Sequence, residues 1–213
     1  MTHDEKRNIL HTAGLNLVKA GLVARTWGNI SIRLDDDWFL ITPSGRTYET
    51  LTPGEMVVVN RVDLSHEGTI TPSSEKGMHA DIYTRRPEIT AVIHTHQLQA
   101  STVAAARKTV TGLSADHAAV LGESVLCADY ALPGTRKLVL AAAKALVHGR
   151  NAALLANHGA VCIGETMEAA FTVAVILEAA CEDFIKRSFE KKYGACGLTV
   201  SGMHEHYLTQ MSA

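Results

Sequence analysis

The stretch AVIHTH, residues 91–96, combines an apolar β-strand with two histidines. Side chains alternate between the two faces of a strand, so His94 and His96 point to the same side, with backbones about 7 Å apart. Two buried imidazoles would each need a hydrogen-bond partner, but both can direct a nitrogen at one metal ion. The spacing therefore predicts a metal site at the end of a buried strand, although a single histidine there would more often be a core residue.

The segments around this strand predict one domain built on a single mixed sheet. Before it we expect a helix over 5–21, strands at 29–34, 38–42, 55–61 and 69–72, and a helix over 74–86 that Pro87 ends. After it we expect a helix over 97–106, a strand at 124–130, a helix over 135–149, a strand–turn–strand unit at 152–164 and a long helix over 166–192. This order indicates an α/β/α or α+β architecture, and the early hairpin argues against a purely parallel sheet.

Charge and cysteine content limit the classes of function. The 213 residues include 20 Lys and Arg and 22 Asp and Glu, a net charge of −2 that predicts neither nucleic acid nor a membrane surface as partner. The N-terminus is too polar for a signal peptide, and the apolar segments are too short to cross a membrane. The sequence thus predicts a cytoplasmic protein with free thiols rather than disulfides at Cys127, Cys162, Cys181 and Cys196.

A third candidate metal ligand is His158, in the segment LLANHGAV at residues 154–161. Gly159 permits a tight turn that would expose the imidazole at a strand end, although an ordinary turn histidine explains the pattern equally well. Three protein ligands and one open position are typical of a catalytic metal. The remaining histidines in tails, loops or exposed helix faces are weaker candidates: His3, His11, His66, His148, His204 and His206.

Glu75 follows two serines at a predicted helix start, in the segment TPSSEKGMHA. An acid in a first helical turn is common because of the helix dipole, but the same geometry offers backbone N–H groups and hydroxyls to an anion. His79, four residues later, is expected to pack or to orient a ligand rather than to bind the metal. Two further glycine turns, TWGNIS with Gly28 and Asn29 and TPSGR with Ser44 and Gly45, fit either plain turns or a phosphate cradle.

The ordered motifs TWGNIS, ITPSG, PSSEKGMH, IHTH and LLANHGAV closely resemble the class II aldolase/adducin family. The resemblance runs over about residues 5–190 and is closest to enzymes of the L-fuculose-1-phosphate aldolase type. It implies one domain over 1–213, with a mobile tail at 194–213. The implied fold is a three-layer α/β/α sandwich around a single mixed, largely antiparallel sheet. The implied assembly is a homotetramer with active sites at subunit interfaces.

The resemblance also implies roles for the candidate residues. A divalent metal, usually Zn²⁺ and alternatively Mn²⁺ or Co²⁺, would bind His94, His96 and His158. Glu75 would ligate the metal in the empty enzyme and act as the general base. The phosphate of a ketose 1-phosphate would lie against residues from the three turns: Gly28, Asn29, Ser44, Gly45, Ser73 and Ser74.

The implied reaction is aldol cleavage of a ketose 1-phosphate to dihydroxyacetone phosphate and an aldehyde, because Glu75 stands where the family's epimerases carry aspartate. L-Fuculose, L-rhamnulose, 5-deoxyribulose and methylthioribulose 1-phosphates are all candidate substrates. A sugar-phosphate 4-epimerase, a methylthioribulose-1-phosphate dehydratase and a non-catalytic adducin-like domain remain as alternatives. The adducin-like alternative is the weakest, since the chain keeps every candidate ligand.

One departure from the family concerns the aldehyde half of the substrate. Fuculose aldolase has a tyrosine from a neighbouring subunit that protonates the aldehyde oxygen, and the matching region GLSADHAAVLGESV has none. We expect Asp116 or His117 of a neighbouring subunit to carry this proton, with Tyr207 in the tail assisting. A polar loop without catalytic function explains Asp116 and His117 equally well, and a plain surface residue explains Tyr207.

Overall fold

The computed structural model describes residues 1–23, 26–147, 149–194 and 197–211. The seven helices of this part of the chain are α1 (His3–Lys19), α2 (Lys76–Arg85), α3 (Leu98–Ala105), α4 (Ala115–Leu121), α5 (Arg136–Ala145), α6 (Met167–Tyr193) and α7 (Val200–Met211). Its strands are β1 (Asn29–Arg33), β2 (Trp38–Ile41), β3 (Val57–Asn60), β4 (Ala91–Thr95), β5 (Cys127–Ala128), β6 (Ala152–Leu155) and β7 (Gly159–Gly164).

All seven strands form one sheet in the order β3-β2-β1-β4-β7-β6-β5. Neighbouring strands are antiparallel except β5 and β6, which are parallel. The mixed, largely antiparallel sheet predicted from the sequence is therefore confirmed. Strand β4 lies at its centre, paired with β1 through Asn29–His94 and with β7 through His94–Val161.

Helices cover both faces of the sheet and make the predicted three layers. One apolar cluster joins strand residues of one face, such as Ile30 and Ile93, to α1, α3, α4 and α6. A second joins strand residues of the opposite face, such as Val92, to α2 and α5. Because side chains alternate along β4, Ala91 and Ile93 enter the first cluster while Val92 enters the second. His94 consequently lies on the side of the sheet that α2 covers.

Three local differences from the sequence prediction affect the site. Residues 69–72 form no strand but only an isolated bridge between Pro43 and Pro72, since a proline cannot donate a ladder hydrogen bond. Helix α2 begins at Lys76, which makes Glu75 its N-cap rather than a first-turn residue. The segment around Asp116 is not a loop but the short helix α4, whose N-cap Ser114 accepts from the His117 N–H at 3.2 Å.

The tail that the family resemblance predicts to be mobile contains a helix. Helix α7 occupies 200–211, and its Met203 is buried. His206 packs its ring against Phe189 of α6, with centroids 5.6 Å apart. An aromatic contact thus joins this part of the tail to the end of α6.

The thiols and the long helices match the sequence prediction where they are described. Cys127, Cys162 and Cys181 are free. Cys196 and His148 lie outside the described residues. Among the helices that the structure describes, none has the length and apolar character needed to span a membrane.

Candidate active site

Three histidines meet at the end of β4 and the adjoining β6–β7 turn. The ligand nitrogens of His94, His96 and His158 all lie within 4.8 Å of one another. Their ring centroids are 4.7 to 5.0 Å apart, and His94 is fully buried while the other two are partly open. The structure thus brings together all three of the histidines that the sequence proposed as metal ligands.

Two glycines let the backbone pack tightly around His94. A Cβ atom on Gly28, which has φ +86°, would lie 2.6 Å from the His94 carbonyl oxygen. A Cβ on Gly159 would lie 2.3 Å from the Thr95 carbonyl oxygen and 3.3 Å from the His94 ring. Asn157, at φ +55°, supplies the left-handed residue of the turn that presents His158. Only residues without a side chain fit at positions 28 and 159 while β4 keeps its place.

The hydrogen bonding of His94 fixes which nitrogen faces its neighbours. Its Nδ1 lies 2.8 Å from the Ala160 carbonyl oxygen, which can only accept, so Nδ1 carries the proton. Neutral His94 therefore directs the lone pair of Nε2 towards His96 Nε2, 3.0 Å away. A ring nitrogen held in this way by a backbone carbonyl is the usual arrangement of a metal-binding histidine.

Burial keeps these imidazoles neutral. Desolvation, and then the neighbouring His158, lower the pKa of His94 to about 3. Desolvation, followed by the other two histidines, likewise lowers the pKa of His96 to about 3. Burial also lowers the pKa of His158, against an opposing effect of Glu75. At neutral pH the cluster offers unprotonated nitrogens, the form that binds a metal.

Glu75 supplies a buried carboxylate to the same point. Its Oε2 lies 3.2 Å from His94 Nε2, and its Oε1 lies 3.5 Å from His158 Nε2. The side chain makes no hydrogen bond that caps α2. Glu75 Oε1 and His158 Nδ1 are buried without a hydrogen-bond partner among the described residues. The Glu75 carboxylate and the Nε2 atoms of His94 and His158 converge. They fit a cation held among three imidazoles and a carboxylate, here called the histidine–glutamate centre.

The turns proposed as a phosphate cradle lie beside this centre. The Ser44 N–H donates to the Thr71 carbonyl at 3.0 Å, and the Ser73 N–H donates to the Thr42 carbonyl at 3.1 Å. Ser73 Oγ accepts from the Glu75 N–H at 3.2 Å, so it is engaged within the protein. Ser44, Gly45 and Ser74 are exposed at this edge. The two serine turns are thus neighbours next to Glu75.

Asn29 has a different environment from the one the sequence suggested. Its buried amide Nδ2 donates to Glu75 Oε2 at 2.9 Å, and its Oδ1 lies 2.6 Å from His79 Nε2. Both ends of the amide therefore contact protein groups rather than facing an open cradle. His79 in turn contacts Ser31 and, through it, Tyr83. Sequence reasoning missed Ser31 and Tyr83, although Ser31 stands two residues after Asn29 on the same face of β1.

The residues proposed for the aldehyde half, Asp116, His117 and Tyr207, are here called the outer residues. Asp116 is exposed on α4, and His117 Nδ1 lies 3.8 Å from an Asp183 oxygen of α6. Tyr207 is on α7, which packs on Phe189. Phe189 is fifteen residues, about 22 Å of helix, beyond Ala174, the residue of α6 that Gln97 contacts next to His96. No hydrogen bond or ion pair between described residues joins the outer residues to the histidine–glutamate centre.

One exposed aromatic residue near the centre also escaped sequence reasoning. The Trp27 ring centroid lies 5.9 Å from that of His96, and about half of the side chain is exposed. The indole therefore forms part of the wall at the open side of the histidine cluster. Its position directly before Gly28 is the only sequence signal that could have identified it.

Comparison with known proteins agrees with this geometry. Residues 8–185 match the family model described as Class II Aldolase and Adducin N-terminal domain. The chain is 35% identical over 179 residues to a 5-deoxy-D-ribulose 1-phosphate aldolase of Bacillus thuringiensis serovar kurstaki, covering 84% of this chain and 83% of that protein. It is 36% identical over 168 residues to L-fuculose phosphate aldolase of Escherichia coli K12, covering 79% and 76%.

The fold leads to the same group of proteins. A solved structure of L-fuculose 1-phosphate aldolase superimposes with a TM-score of 0.82 at 32% identity, covering 94% of this chain and 93% of that one. The match therefore extends over the sheet, the helices on both of its faces and the histidine-bearing strand ends. The chain belongs to the class II aldolase/adducin family.

Proposed function

We propose that the chain is a metal-dependent lyase, an aldolase that cleaves a ketose 1-phosphate to dihydroxyacetone phosphate and an aldehyde. The observation that carries this proposal is the histidine–glutamate centre, in which three neutral imidazoles face a buried carboxylate. One oxygen of that carboxylate has no hydrogen-bond partner among the described residues. The names of the aldolase relatives support the same class of reaction.

The residues that would hold the metal are His94, His96 and His158, with Glu75 beside them as a ligand in the substrate-free enzyme. Imidazole nitrogens suit zinc, which is our proposal for the ion, and they also accept manganese or cobalt. When bound, a divalent cation supplies Lewis-acid polarisation of the carbonyl and adjacent hydroxyl oxygens of the substrate. The protein itself fixes the ligand geometry through the His94 Nδ1–H bond to Ala160.

Glu75 is the group proposed to move the proton on the dihydroxyacetone phosphate half. Cleavage breaks the C3–C4 bond, the C4 hydroxyl loses its proton to become the aldehyde, and C3 gains a proton. Glu75 Oε1 is buried and has no hydrogen-bond partner among the described residues, so it can hold that proton. Burial of the carboxylate also keeps bulk water from competing for the C3 proton.

The substrate phosphate is proposed to lie against the two serine turns. Ser44, Gly45 and Ser74 are exposed beside Glu75, where hydroxyl and backbone donors can reach a dianion. Gly28 would complete this side, whereas Glu75 and His79 engage both ends of the neighbouring Asn29 amide. Ser73 would contribute a hydroxyl near Glu75. Binding energy from the phosphate is remote from the bond that breaks and can hold the sugar in position for cleavage.

In cleavage, the proton of the C4 hydroxyl is proposed to pass to a group of a neighbouring subunit, which returns it to the aldehyde oxygen in the reverse, aldol direction. No hydrogen bond or ion pair between described residues joins the outer residues to the centre of the same chain. A homotetramer with sites at its interfaces would bring Asp116 or His117 of one subunit to the centre of another. Tyr207 would assist from α7. We further propose that the enzyme works in the cytoplasm, where phosphorylated sugars are available.

The test is a product assay on the metal-loaded full chain. The protein is incubated with the 1-phosphates of L-fuculose, L-rhamnulose, 5-deoxyribulose and methylthioribulose, and dihydroxyacetone phosphate is coupled to NADH oxidation. Release from at least one substrate, abolished by a chelator and restored by zinc, supports the proposal. An epimer formed without dihydroxyacetone phosphate would show that the enzyme is an epimerase. A dehydrated product formed without dihydroxyacetone phosphate would show that it is a dehydratase. Purified protein without a stoichiometric amount of bound metal would indicate an adducin-like domain.

A further inference from the structure

A chain of four buried side chains runs from the histidine–glutamate centre into the core beneath α2. The Tyr83 hydroxyl lies 2.7 Å from Ser31 Oγ, which lies 2.6 Å from His79 Nδ1. His79 Nε2 lies 2.6 Å from Asn29 Oδ1, and Asn29 Nδ2 lies 2.9 Å from Glu75 Oε2. All four residues are at most 5% exposed, and the proposed reaction gives no direct role to Ser31, His79 or Tyr83.

The chemistry of the groups allows only one direction for the hydrogen bonds in this chain. An ionised Glu75 carboxylate can only accept, so Asn29 must present its NH₂ to it and its carbonyl to His79. That carbonyl also only accepts, so His79 must carry its proton on Nε2. Neutral His79 then has a lone pair on Nδ1, which accepts from Ser31, and the Ser31 oxygen accepts from Tyr83.

We propose that His79 is a positioning residue, which locks the Asn29 amide so that Asn29 holds Glu75 Oε2 and leaves Oε1 as the oxygen that carries the C3 proton. This inference rests on the proposed aldolase function and specifies how the protein makes the two oxygens of Glu75 different. Without the donor from His79, the Asn29 amide could rotate and turn its carbonyl towards the carboxylate. Two acceptors would then face each other in a buried site, and Glu75 would leave its position.

The surroundings of His79 support a fixed role for it. Desolvation, and then the nearby His94, lower the pKa of His79 to about 3, so the ring stays neutral and keeps a single N–H. The ring lies between α2 and β1, 48 residues along the chain from Ser31 and 50 from Asn29. A hydrophobic side chain of similar volume would fill this space as well, but it would offer Asn29 no donor.

The first test compares two substitutions at position 79 in the metal-loaded enzyme. His79→Gln keeps an N–H group at the end of the side chain, whereas His79→Leu removes it. We expect His79→Leu to lower kcat for dihydroxyacetone phosphate release by about 10- to 100-fold, as is typical for a partner behind a metal or base ligand. We expect His79→Gln to recover most of this loss and KM to change less than kcat in both variants.

The matched control is Ile82→Ala on the same helix. Ile82 is buried in the apolar cluster beneath α2 and has no polar side-chain atom, so its truncation lowers stability without touching the Asn29 amide. If Ile82→Ala lowers kcat as much as His79→Leu at an equal loss of Tm, the role of His79 is structural and the proposal is wrong. If His79→Gln and His79→Leu are equally slow, the donor is not what matters and the proposal is also wrong.

The second test does not depend on activity. Nitrogen-15 NMR of the full chain, labelled at histidine and assigned with His79→Gln, reports which ring nitrogen of His79 carries the proton. We expect the Nε2–H tautomer alone at pH 7, both with and without zinc. A proton on Nδ1, or a doubly protonated ring, would overturn the proposal even if aldolase activity is found. A failed substrate assay with the expected tautomer would instead count against the proposed function.

Discussion

The histidine–glutamate centre and the outer residues differ in how much of their geometry one chain supplies. His94 and Glu75 are buried, and each is held by backbone or side-chain hydrogen bonds from elements far apart in sequence. Asp116 and Tyr207 are exposed on short helices packed along α6. Under the proposed function, the half of the reaction at C3 would be organised within one chain, whereas the aldehyde half would need a second one. We therefore expect substitutions in the two groups to affect different steps of the reaction.

Loss of a ligand should have the largest effect. We expect His94→Ala to weaken metal binding by more than about 100-fold and to reduce cleavage to background, because Nε2 of this fully buried ring faces the centre. Elemental analysis after dialysis measures the metal content. The exposed His66 gives the control His66→Ala, which should retain metal. Full metal occupancy in His94→Ala would remove this residue from the ligand set.

Removal of the base should come next. Glu75→Gln keeps size and an acceptor for Asn29 but cannot carry a proton, so we expect cleavage to slow by roughly 10²–10⁴-fold with metal largely retained. Exchange of the C3 proton of dihydroxyacetone phosphate in deuterated water should fall in parallel. Glu168→Gln, an exposed change on α6, is the control. A Glu75→Gln enzyme with normal turnover would assign the base to another residue.

Substitution of the outer residues should slow cleavage but leave proton exchange unchanged. If a neighbouring subunit accepts the proton of the C4 hydroxyl, Asp116→Ala or His117→Ala should slow cleavage by about 10²-fold, near the lower end for acid–base groups. Exchange at C3 should remain, because the histidine–glutamate centre performs that step. Deletion of residues 200–213 tests Tyr207 in the same two assays. If cleavage is unchanged in all three variants, the outer residues take no part in the reaction, and their contrast with the histidine–glutamate centre has no functional significance.

The phosphate side should show the smallest effect. Ser73→Ala removes one hydroxyl beside Glu75, and we expect a loss of about 1.5 kcal/mol in substrate binding, or roughly tenfold in KM. The unphosphorylated sugar should bind equally well to both forms. Ser188→Ala on the exposed side of α6 serves as the control, since its hydroxyl bonds the Phe184 carbonyl one turn earlier in the same helix. Equal losses for sugar and sugar phosphate would place Ser73 away from the phosphate.

Local patterns predicted those parts of the fold that depend on local signals. The alternation in 91–96 and the glycine after His158 correctly predicted β4, the β6–β7 turn and the histidine cluster. Helix α7 was missed because part of its packing is a non-local contact, that of His206 with Phe189 of α6, which a polar local sequence does not reveal. The prediction of a strand at 69–72 was wrong, because the described residues of this segment pair only through the isolated Pro43–Pro72 bridge.

The site follows the same division. His94 and His96 are two residues apart, so strand periodicity alone placed them together. The environment of Asn29 could not be predicted, because its partners Glu75 and His79 are 46 and 50 residues away and depend on how α2 packs over β1. Sequence therefore identified the histidines and Glu75 of the centre, while the partners of Asn29 and the direction of their hydrogen bonds required the packed structure.

The glycines around His94 set limits on how far this protein can be diversified by directed evolution. A side chain at position 159 would clash with the Thr95 carbonyl. A side chain at position 28 would clash with the His94 carbonyl and would also have to adopt a positive φ. Gly54 is by contrast open to replacement, because a Cβ atom there would meet no described atom within 4 Å and its φ is not positive. A mutant library that aims at new aldehydes should keep positions 28 and 159 fixed and vary Trp27 on the open side of the cluster.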